Sequence, residues 1–162
     1  MRNNRHLIGV ISDTHSWYDS AVEAHFKDVD HILHAGDIGD MRVLHRLREI
    51  APVTAVRGNI DEGTHATSLN LEENVRLLDV KIFMTHILGN PERLPHELQL
   101  RVKQLTPDVV IFGHTHQSYL GNREGVLYFN PGSAGPKRFS LPRSIGLLDV
   151  TKGKLQAKII KI

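Results

Sequence analysis

The sequence contains no cysteine among its 162 residues. This absence excludes disulfide bonds, thiolate metal sites, iron–sulfur clusters and cysteine nucleophiles. It is also consistent with a cytoplasmic protein, because proteins of reducing compartments do not rely on disulfides. No run of apolar residues approaches the ~18 that a membrane span requires, so we expect no membrane-crossing segment. The apolar stretch Leu7-Ile8-Gly9-Val10-Ile11 is too short for the hydrophobic region of a secretion signal.

A strong excess of charge of one sign is also missing. Lys and Arg number 20 and Asp and Glu number 18, which gives a formal net charge of +2. This near balance disfavours a nucleic-acid partner, since such proteins usually carry a clustered basic surface. The length is that of one domain, here residues 1–162, and the sequence leaves the oligomeric state open, with a homo-oligomer among the alternatives.

Histidine is the residue type that the chain has in abundance, with 11. Imidazole is the commonest metal ligand in proteins. A sequence that is rich in histidine and lacks cysteine therefore favours a metal site built from nitrogen and oxygen ligands.

Short apolar runs alternate with helical patterns in the first half of the chain, an order typical of a parallel sheet with helices on its face. Strands dominate the second half, so we predict an α/β fold. The predicted helices are 21–27, 41–49 and 92–105, the last starting near Leu94-Pro95. We predict a loop over 61–70 and turns at Gly121-Asn122 and Gly153. The predicted strands are 7–11, 31–34, 53–56, 75–78, 80–85, 109–112, 117–120, 126–129, 144–150 and 155–160.

Five polar clusters follow closely on predicted strands. Ligands of open α/β sheets bind outside the carboxyl ends of the strands, so we expect these clusters to meet at one rim. Together they offer seven oxygen and nitrogen ligands, which are too many for one metal ion and suit two. The clusters are Asp13-Thr14-His15, Gly36-Asp37, Gly58-Asn59-Ile60-Asp61, Thr85-His86 and Gly113-His114-Thr115-His116.

A bridging carboxylate can hold two divalent cations about 3.5–4 Å apart, and Asp37 is the candidate for this role. The other six candidates divide into two sets of three: Asp13, His15 and His116 for one ion, and Asn59, His86 and His114 for the other.

Each cluster alone also has an ordinary structural interpretation. Asp13-Thr14-His15 could cap a helix, and Gly36-Asp37 and Gly58-Asn59 are common in turns. His86 could be a hydrogen-bonded histidine of the core. One paired metal site at five strand ends explains these residues more economically than five coincidences.

The five clusters resemble those of the calcineurin-like metallophosphoesterases, and in particular the small bacterial and archaeal phosphodiesterases. The resemblance extends over residues 7 to about 140 and includes Asn130-Pro131-Gly132-Ser133, which is expected near the metal rim. It implies a four-layer α-β-β-α sandwich, two divalent metal ions and hydrolysis of phosphodiester bonds of a small molecule by a metal-activated hydroxide. Manganese is the first expectation for the metal, with zinc, iron, nickel and cobalt as alternatives.

The expected catalytic residues are Asp37 as the bridge, with Asn59 and His15 offsetting charge on the phosphoryl oxygens. Larger relatives carry a histidine directly after the motif asparagine, where this chain has Ile60. Small relatives commonly continue the His86 motif with Gly-His, where this chain has Ile87-Leu88. The general acid is therefore unassigned, with His65 as a substitute candidate.

A different class of function remains open. A retromer subunit of eukaryotes resembles the same family and acts as a scaffold for other proteins. A non-catalytic protein-interaction scaffold is therefore the alternative hypothesis, although all seven ligand positions are filled in this chain.

Overall fold

The computed structural model describes residues 5–63, 65–152 and 154–162. These residues form two five-stranded sheets, three α-helices and one short 3-10 helix. The helices are α1 (Ser20–Phe26), α2 (Arg42–Arg48), α3 (His96–Leu105) and the 3-10 helix Ala66–Ser68. The strands are β1 (Arg5–Ile11), β2 (His31–His34), β3 (Val53–Ala55), β4 (Glu72–Leu77), β5 (Val80–Thr85), β6 (Val109–Ile111), β7 (Tyr119–Arg123), β8 (Val126–Asn130), β9 (Ser144–Thr151) and β10 (Lys154–Lys161).

Each sheet contains three adjacent parallel strands, and its other two strands join by antiparallel pairing. The first sheet has the order β10-β9-β1-β2-β3, and β1, β2 and β3 are parallel, with Ile11 paired to His34. The second sheet has the order β4-β5-β6-β8-β7, and β5, β6 and β8 are parallel, with Met84 paired to Ile111. Because parallel strands end on the same side of a sheet, the loops after β1, β2 and β3 share one edge, and so do those after β5, β6 and β8.

The layers follow from where the apolar side chains point. Successive strand residues face opposite sides, so each sheet can bury both faces when helices cover the outer one. The central core between the two sheets contains Val10, Leu33, Met84, Ile111 and Phe129. On the outer face of the first sheet, α1 and α2 contribute Phe26, Leu44 and Leu47. On the outer face of the second sheet, α3 contributes Leu98 and Val102, which pack against Phe83 and Val110. The predicted four-layer α-β-β-α sandwich is confirmed.

Several predicted boundaries need correction. Gly121-Asn122 does not form a turn but lies within β7, opposite Tyr128 and Leu127. The turn lies at Glu124-Gly125, where both residues have positive φ, of 51° and 82°. This is the type I′ hairpin that the right-handed twist of paired strands favours. The loop predicted over 61–70 contains the short 3-10 helix, and the turn predicted at Gly153 lies outside the described residues.

In the part of the chain that the structure describes, no helix has the length and apolar character needed to span a membrane. The lysine-bearing strand β10 is the outermost strand of the first sheet. Its exposed residues include Lys154, Lys158 and Lys161, and charged edges of this kind discourage pairing with further strands.

Candidate metal centre

The seven predicted ligand residues lie together at the carboxyl ends of the parallel strands. Five loops, after β1, β2, β3, β5 and β6, supply them, so both sheets contribute. Two groups of three side chains have ligand atoms that all lie within 4.8 Å of one another. These groups are Asp13, His15 and His116, and Asp37, His86 and His114.

The first group is built around the buried carboxylate of Asp13. Its Oδ1 atom lies 3.2 Å from Nε2 of His116 and 3.8 Å from Nε2 of His15. The two imidazole Nε2 atoms are 3.1 Å apart. Two nitrogen ligands at 2.0–2.1 Å from a tetrahedral ion stand about 3.3 Å apart, so this spacing fits a shared ion.

The second group includes the side chain of Asn59 as well. Nε2 of His86 lies 3.2 Å from Oδ1 of Asp37 and 3.1 Å from Oδ1 of Asn59. Nδ1 of His114 lies 3.0 Å from the same Asn59 oxygen. The structure therefore brings Asn59 together with the two histidines with which the sequence grouped it.

Asp37 lies between the two groups. Its Oδ1 atom faces His86 of the second group, and its Oδ2 atom lies 3.7 Å from Nε2 of His15 in the first. The backbone N–H of Ile60 donates to Oδ1 at 3.0 Å and fixes the carboxylate. The two oxygens of one carboxylate thus face different groups, which is the arrangement that a bridging ligand requires.

The oxygen and nitrogen atoms of the two groups are arranged to bind a cation rather than to hydrogen-bond one another. Oδ2 of Asp13 accepts hydrogen bonds from the Ser12 hydroxyl and the His114 backbone N–H, at 2.6 and 3.1 Å. Oδ1 of Asp13 is buried and accepts none from the described residues. A buried carboxylate oxygen without a donor is costly, and a metal ion would satisfy it.

His86 leads to the same conclusion. Its Nδ1 atom lies 2.7 Å from the carbonyl oxygen of Ala35 and must donate its proton there. In the neutral ring Nε2 then carries a lone pair, yet it faces the oxygens of Asp37 and Asn59. Such an arrangement is stable only if the ring is protonated or a cation lies between these atoms. Fixing the far nitrogen to a carbonyl is also how proteins orient histidine ligands.

The pKa values of the two carboxyl groups agree with a role as metal ligands. Burial acts to raise the pKa of Asp13, but contacts with His116 and Ser12 outweigh it and hold the pKa below its usual value. The same balance lowers the pKa of Asp37, where His86 is the main opposing contact. Burial acts to lower the pKa of His86, and the Asp37 carboxylate raises it overall. Both carboxylates are therefore ionised at neutral pH, as metal ligands must be.

The loops that carry the ligands adopt a backbone conformation that L-residues rarely use. Left-handed φ values are costly for residues with a side chain and cluster at functional sites. They occur at Asp13 (54°), His15 (46°), Asp37 (53°), His114 (72°) and His116 (59°).

Two glycines allow these loops to approach one another. A Cβ atom at Gly58 would collide with the backbone nitrogen and Oδ1 of Asp37. A Cβ atom at Gly113 would collide with Oγ of Ser12 and lie 2.7 Å from Oδ2 of Asp13. No other residue fits at these two positions without moving a candidate ligand.

Further side chains hold the ligand loops from behind, among them Asn130 and Ser133, which the sequence placed near the metal rim. The Ser133 hydroxyl donates to the carbonyl oxygen of Asp13, and Asn130 Nδ2 donates to the carbonyl oxygen of Gly113. The Asp61 carboxylate accepts from three backbone N–H groups, those of Ile38, Gly39 and Gly58. Asp61 thereby joins the loop after β2 to the loop after β3.

His34 is a supporting residue that the sequence did not single out. It is fully buried at the end of β2. Its Nδ1 accepts from the backbone N–H of Gly36, so Nε2 carries the proton and donates to the Thr14 hydroxyl at 3.0 Å. Thr14 in turn donates to the carbonyl oxygen of Ile38. The sequence feature that could have indicated this supporting role is the position of His34, two residues before Gly36-Asp37.

His65, the substitute candidate for the general acid, lies away from the paired site. His65 lines a separate hollow with Asp40 and Glu62 that includes none of the seven candidate ligands. Asp40 accepts from the backbone N–H and the guanidinium of Arg42, and so caps α2. Tyr18 packs against the first core, with the Arg46 guanidinium 4.9 Å from its ring centre, whereas Trp17 is 52% exposed.

A family model described as the calcineurin-like phosphoesterase superfamily domain matches residues 7–153. The chain belongs to this family. A protein named "Probable metallophosphoesterase" of Methanocaldococcus jannaschii is 39% identical over 165 residues, covering 96% of this chain and 81% of the relative. A phosphodiesterase of the same organism is 29% identical and covers 95% of this chain and 99% of its own length.

Solved structures agree on the fold. An archaeal phosphodiesterase matches with a TM-score of 0.77 and 26% identity, over 95% of this chain and 99% of its own. Vps29 of Entamoeba histolytica in complex with Zn²⁺ matches with a TM-score of 0.72 and 23% identity, over 96% of this chain and 98% of its own. At that identity the second likeness concerns the fold alone.

Proposed function

We propose that this protein is a phosphodiesterase that depends on two divalent metal ions. The observation that carries the proposal is the pair of Asp/His groups that meet at Asp37. The reaction adds water across one phosphorus–oxygen ester bond and yields a phosphomonoester and an alcohol. Relatives named as phosphodiesterases, at 29% and 36% identity, support this choice of reaction.

The chain contributes two cradles for the ions. Asp13, His15 and His116 would hold one of them. Asn59, His86 and His114 would hold the other, and Asp37 would contact both. The ions would supply a nucleophile at neutral pH by lowering the pKa of a water and would offset phosphoryl charge. Manganese is our first choice, and zinc, iron, nickel and cobalt also suit the nitrogen and oxygen donors.

Asn59 and His15 are the residues that can act on the substrate as well. Only the Oδ1 atom of Asn59 contacts His86 and His114, and no described residue uses its Nδ2 donor. That donor is available to a non-bridging phosphoryl oxygen, where negative charge builds up in the transition state. His15, a partly exposed residue of the first group, can likewise offset charge on a phosphoryl oxygen.

The alternative is a non-catalytic scaffold that binds another protein. The specific observation in its favour is that Trp17, Ile60 and Ile87 are exposed and lie within two residues of candidate ligands in the sequence. Exposed apolar side chains that cluster are typical of interaction surfaces. The filled ligand set and the phosphodiesterase relatives make the enzyme the better supported proposal.

The test is hydrolysis of bis(4-nitrophenyl) phosphate and of 4-nitrophenyl phosphate by chelator-stripped protein, with each divalent metal added back separately. We expect metal-restored turnover, faster with the diester. Asp37→Asn and His114→Ala should lose at least about 100-fold in rate. Asp28→Asn is the matched control and should keep the wild-type rate, because this exposed carboxylate precedes β2 and lies at the end of that strand opposite to Asp37.

Absence of turnover with every metal, in protein that still binds two ions, would refute the phosphodiesterase and favour the scaffold. Full activity of Asp37→Asn would refute the bridging role alone. A monoester that reacts faster than the diester would make the protein a phosphomonoesterase.

A further inference from the structure

The side chains around the paired site are not uniform in character. Among the described residues, eight large apolar side chains are exposed, and three of them lie within two residues of a candidate ligand. Trp17 comes two residues after His15, Ile60 directly after Asn59, and Ile87 directly after His86. Exposing such side chains wastes hydrophobic stabilisation, so their concentration here calls for a functional reason.

Ile60 and Ile87 directly follow two candidate ligands of the second group, Asn59 and His86. Their exposed fractions are 42% and 48%. The side chains of the residues before them, Asn59 and His86, are in contact at 3.1 Å. The backbone N–H of Ile60 donates to Asp37, so its position relative to the group is fixed. The two isoleucines therefore lie beside the second group and give that end of the site an apolar character.

The other end of the site, which also exposes Trp17, has a positive charge. The exposed segment after Gly135 contains Lys137 and Arg138, and Arg138 lines one small hollow together with His116. Gly135 donates its backbone N–H to the carbonyl oxygen of Asp13, which attaches this segment to the first ligand loop.

The Arg138 guanidinium has no counter-ion within the described residues, and it lines the same small hollow as His116, a candidate ligand of the first group. By contrast, the neighbouring Arg143 is fully engaged, with Asp19 and with the carbonyl oxygens of Ala134 and Gly135. Arg138 and Lys137 are thus the cations of this segment that remain available to a ligand, and of the two only the arginine can bind a carboxylate through two parallel N–H groups.

We infer that the mouth of the site is divided into an apolar half, Ile60 and Ile87, and a cationic half, Arg138, and that it selects an asymmetric phosphodiester. One ester group of this substrate is apolar and contacts the isoleucines. The other ester group carries a further negative charge and pairs with Arg138. The inference rests on the proposed function, because the reacting phosphate must lie at the paired metal site between the two halves.

The experiment compares two synthetic diesters with the same leaving group, 4-nitrophenyl phenyl phosphate and 4-nitrophenyl 3-carboxyphenyl phosphate. They differ only in one carboxylate. We expect the wild-type protein to prefer the carboxylated diester in kcat/KM. Arg138→Ala should raise KM for that diester about fivefold and leave KM for the uncharged one unchanged, as for an exposed ion pair. Arg138→Lys should retain part of the preference.

Ile60→Ser and Ile87→Ser should raise KM about fivefold for both diesters, because both carry an aryl group, and leave their ratio unchanged. The matched controls are Arg76→Ala and Leu100→Ser, exposed residues of the same types on β4 and α3. The dependence of this preference on ionic strength is a second measurement, and a merely structural role of Arg138 would not change it. Raising the ionic strength should remove the preference for the carboxylated diester in the wild type and have no effect on the ratio in Arg138→Ala.

The possible failures are distinguishable. Turnover of both diesters with no dependence on Arg138 overturns this inference and leaves the phosphodiesterase intact. No turnover of either diester by the wild type with any metal overturns both. If Ile60→Ser and Ile87→Ser change the molecular mass in solution while KM stays constant, the apolar half is an interface between copies of this chain, and the inference is wrong.

Discussion

Nε2 of His15 lies 3.1 Å from Nε2 of His116, although 101 positions of sequence separate the two residues. Two ring nitrogens at this distance either share one proton or share one cation. The Asp13 oxygen beside them accepts no hydrogen bond from the described residues, and this favours the cation. The thermal stability of the protein should therefore depend on metal.

Removing metal should lower the melting temperature. A ligand at 100 times its Kd stabilises the folded state by about 2.7 kcal/mol. For a chain of this length that corresponds to a loss of about 5–10 °C when a chelator strips one such ion. Differential scanning fluorimetry with and without Mn²⁺ measures it. The Asp13→Asn variant should show a smaller difference between the two conditions, because it keeps only the ligands of the second group intact. A wild-type melting temperature that changes with neither chelator nor metal would contradict the metal site.

His34 should make folding sensitive to pH. Burial lowers the pKa of His34 to about 4, whereas an unfolded histidine titrates near 6.5. Between these values the unfolded chain binds the extra proton, so stability is complete above about pH 6.5 and falls as the pH approaches 4. From pH 7 to pH 5 the loss from this group is about 2 kcal/mol. Urea unfolding at the two pH values should show a smaller difference in His34→Gln.

The control for that comparison is His25→Gln, an exposed histidine at the end of α1, which should retain the wild-type difference. If His34→Gln and the wild type lose the same amount, then groups other than His34 cause the acid sensitivity.

Gly113→Ala should weaken metal binding. The new methyl group would collide with Ser12 and press on Asp13 Oδ2. Crowding of this kind typically costs about 1–3 kcal/mol and moves side chains. Isothermal titration of stripped protein with metal should show affinity reduced by about tenfold or more.

Gly125→Ala is the counterpart of this substitution. A Cβ atom there meets open space, and the only cost is the positive φ of 82°. It should lose some stability, but its metal affinity should equal that of the wild type. Equal metal affinities for all three proteins would show that the close approach at Gly113 is unimportant.

The leaving group should control the rate strongly. Ile60 follows Asn59 and has no proton to give, and His65 lines a hollow without any of the candidate ligands. Without a proton donor, the departing oxygen must leave as an anion. A series of aryl phosphodiesters should therefore show rates that fall steeply as the pKa of the leaving phenol rises. A flat dependence would reveal an acid among the other residues.

The seven candidate ligands could be found from sequence because of a general property of the fold. Parallel strands end on one side of a sheet, so residues such as Asp13 and Asp37 must meet whatever the detailed packing is. The support around them was harder to predict. The Thr14–His34 contact and the three donors to Asp61 join separate loops, and only the folded geometry shows that they come within hydrogen-bond distance.

The error at Gly121-Asn122 has a similar origin. Glycine and asparagine favour turns locally, but here pairing with Tyr128 and Leu127 outweighs that preference. The sequence Glu124-Gly125 then completes the hairpin with two positive φ angles.

Each of the two candidate metal-binding groups takes side chains from both sheets. In the first, Asp13 and His15 follow β1 of one sheet and His116 follows β6 of the other. An ion in such a group would link the two sheets directly, in addition to the apolar contacts between them and a few hydrogen bonds at the rim, such as that from the His114 backbone to Asp13. A nascent chain cannot complete either group of ligands until His114 or His116 has left the ribosome. Metal binding would therefore mark the completion of folding. Amide hydrogen exchange in the central strands β1 and β6 should slow together when metal is added, because opening the sandwich would first require release of the ions.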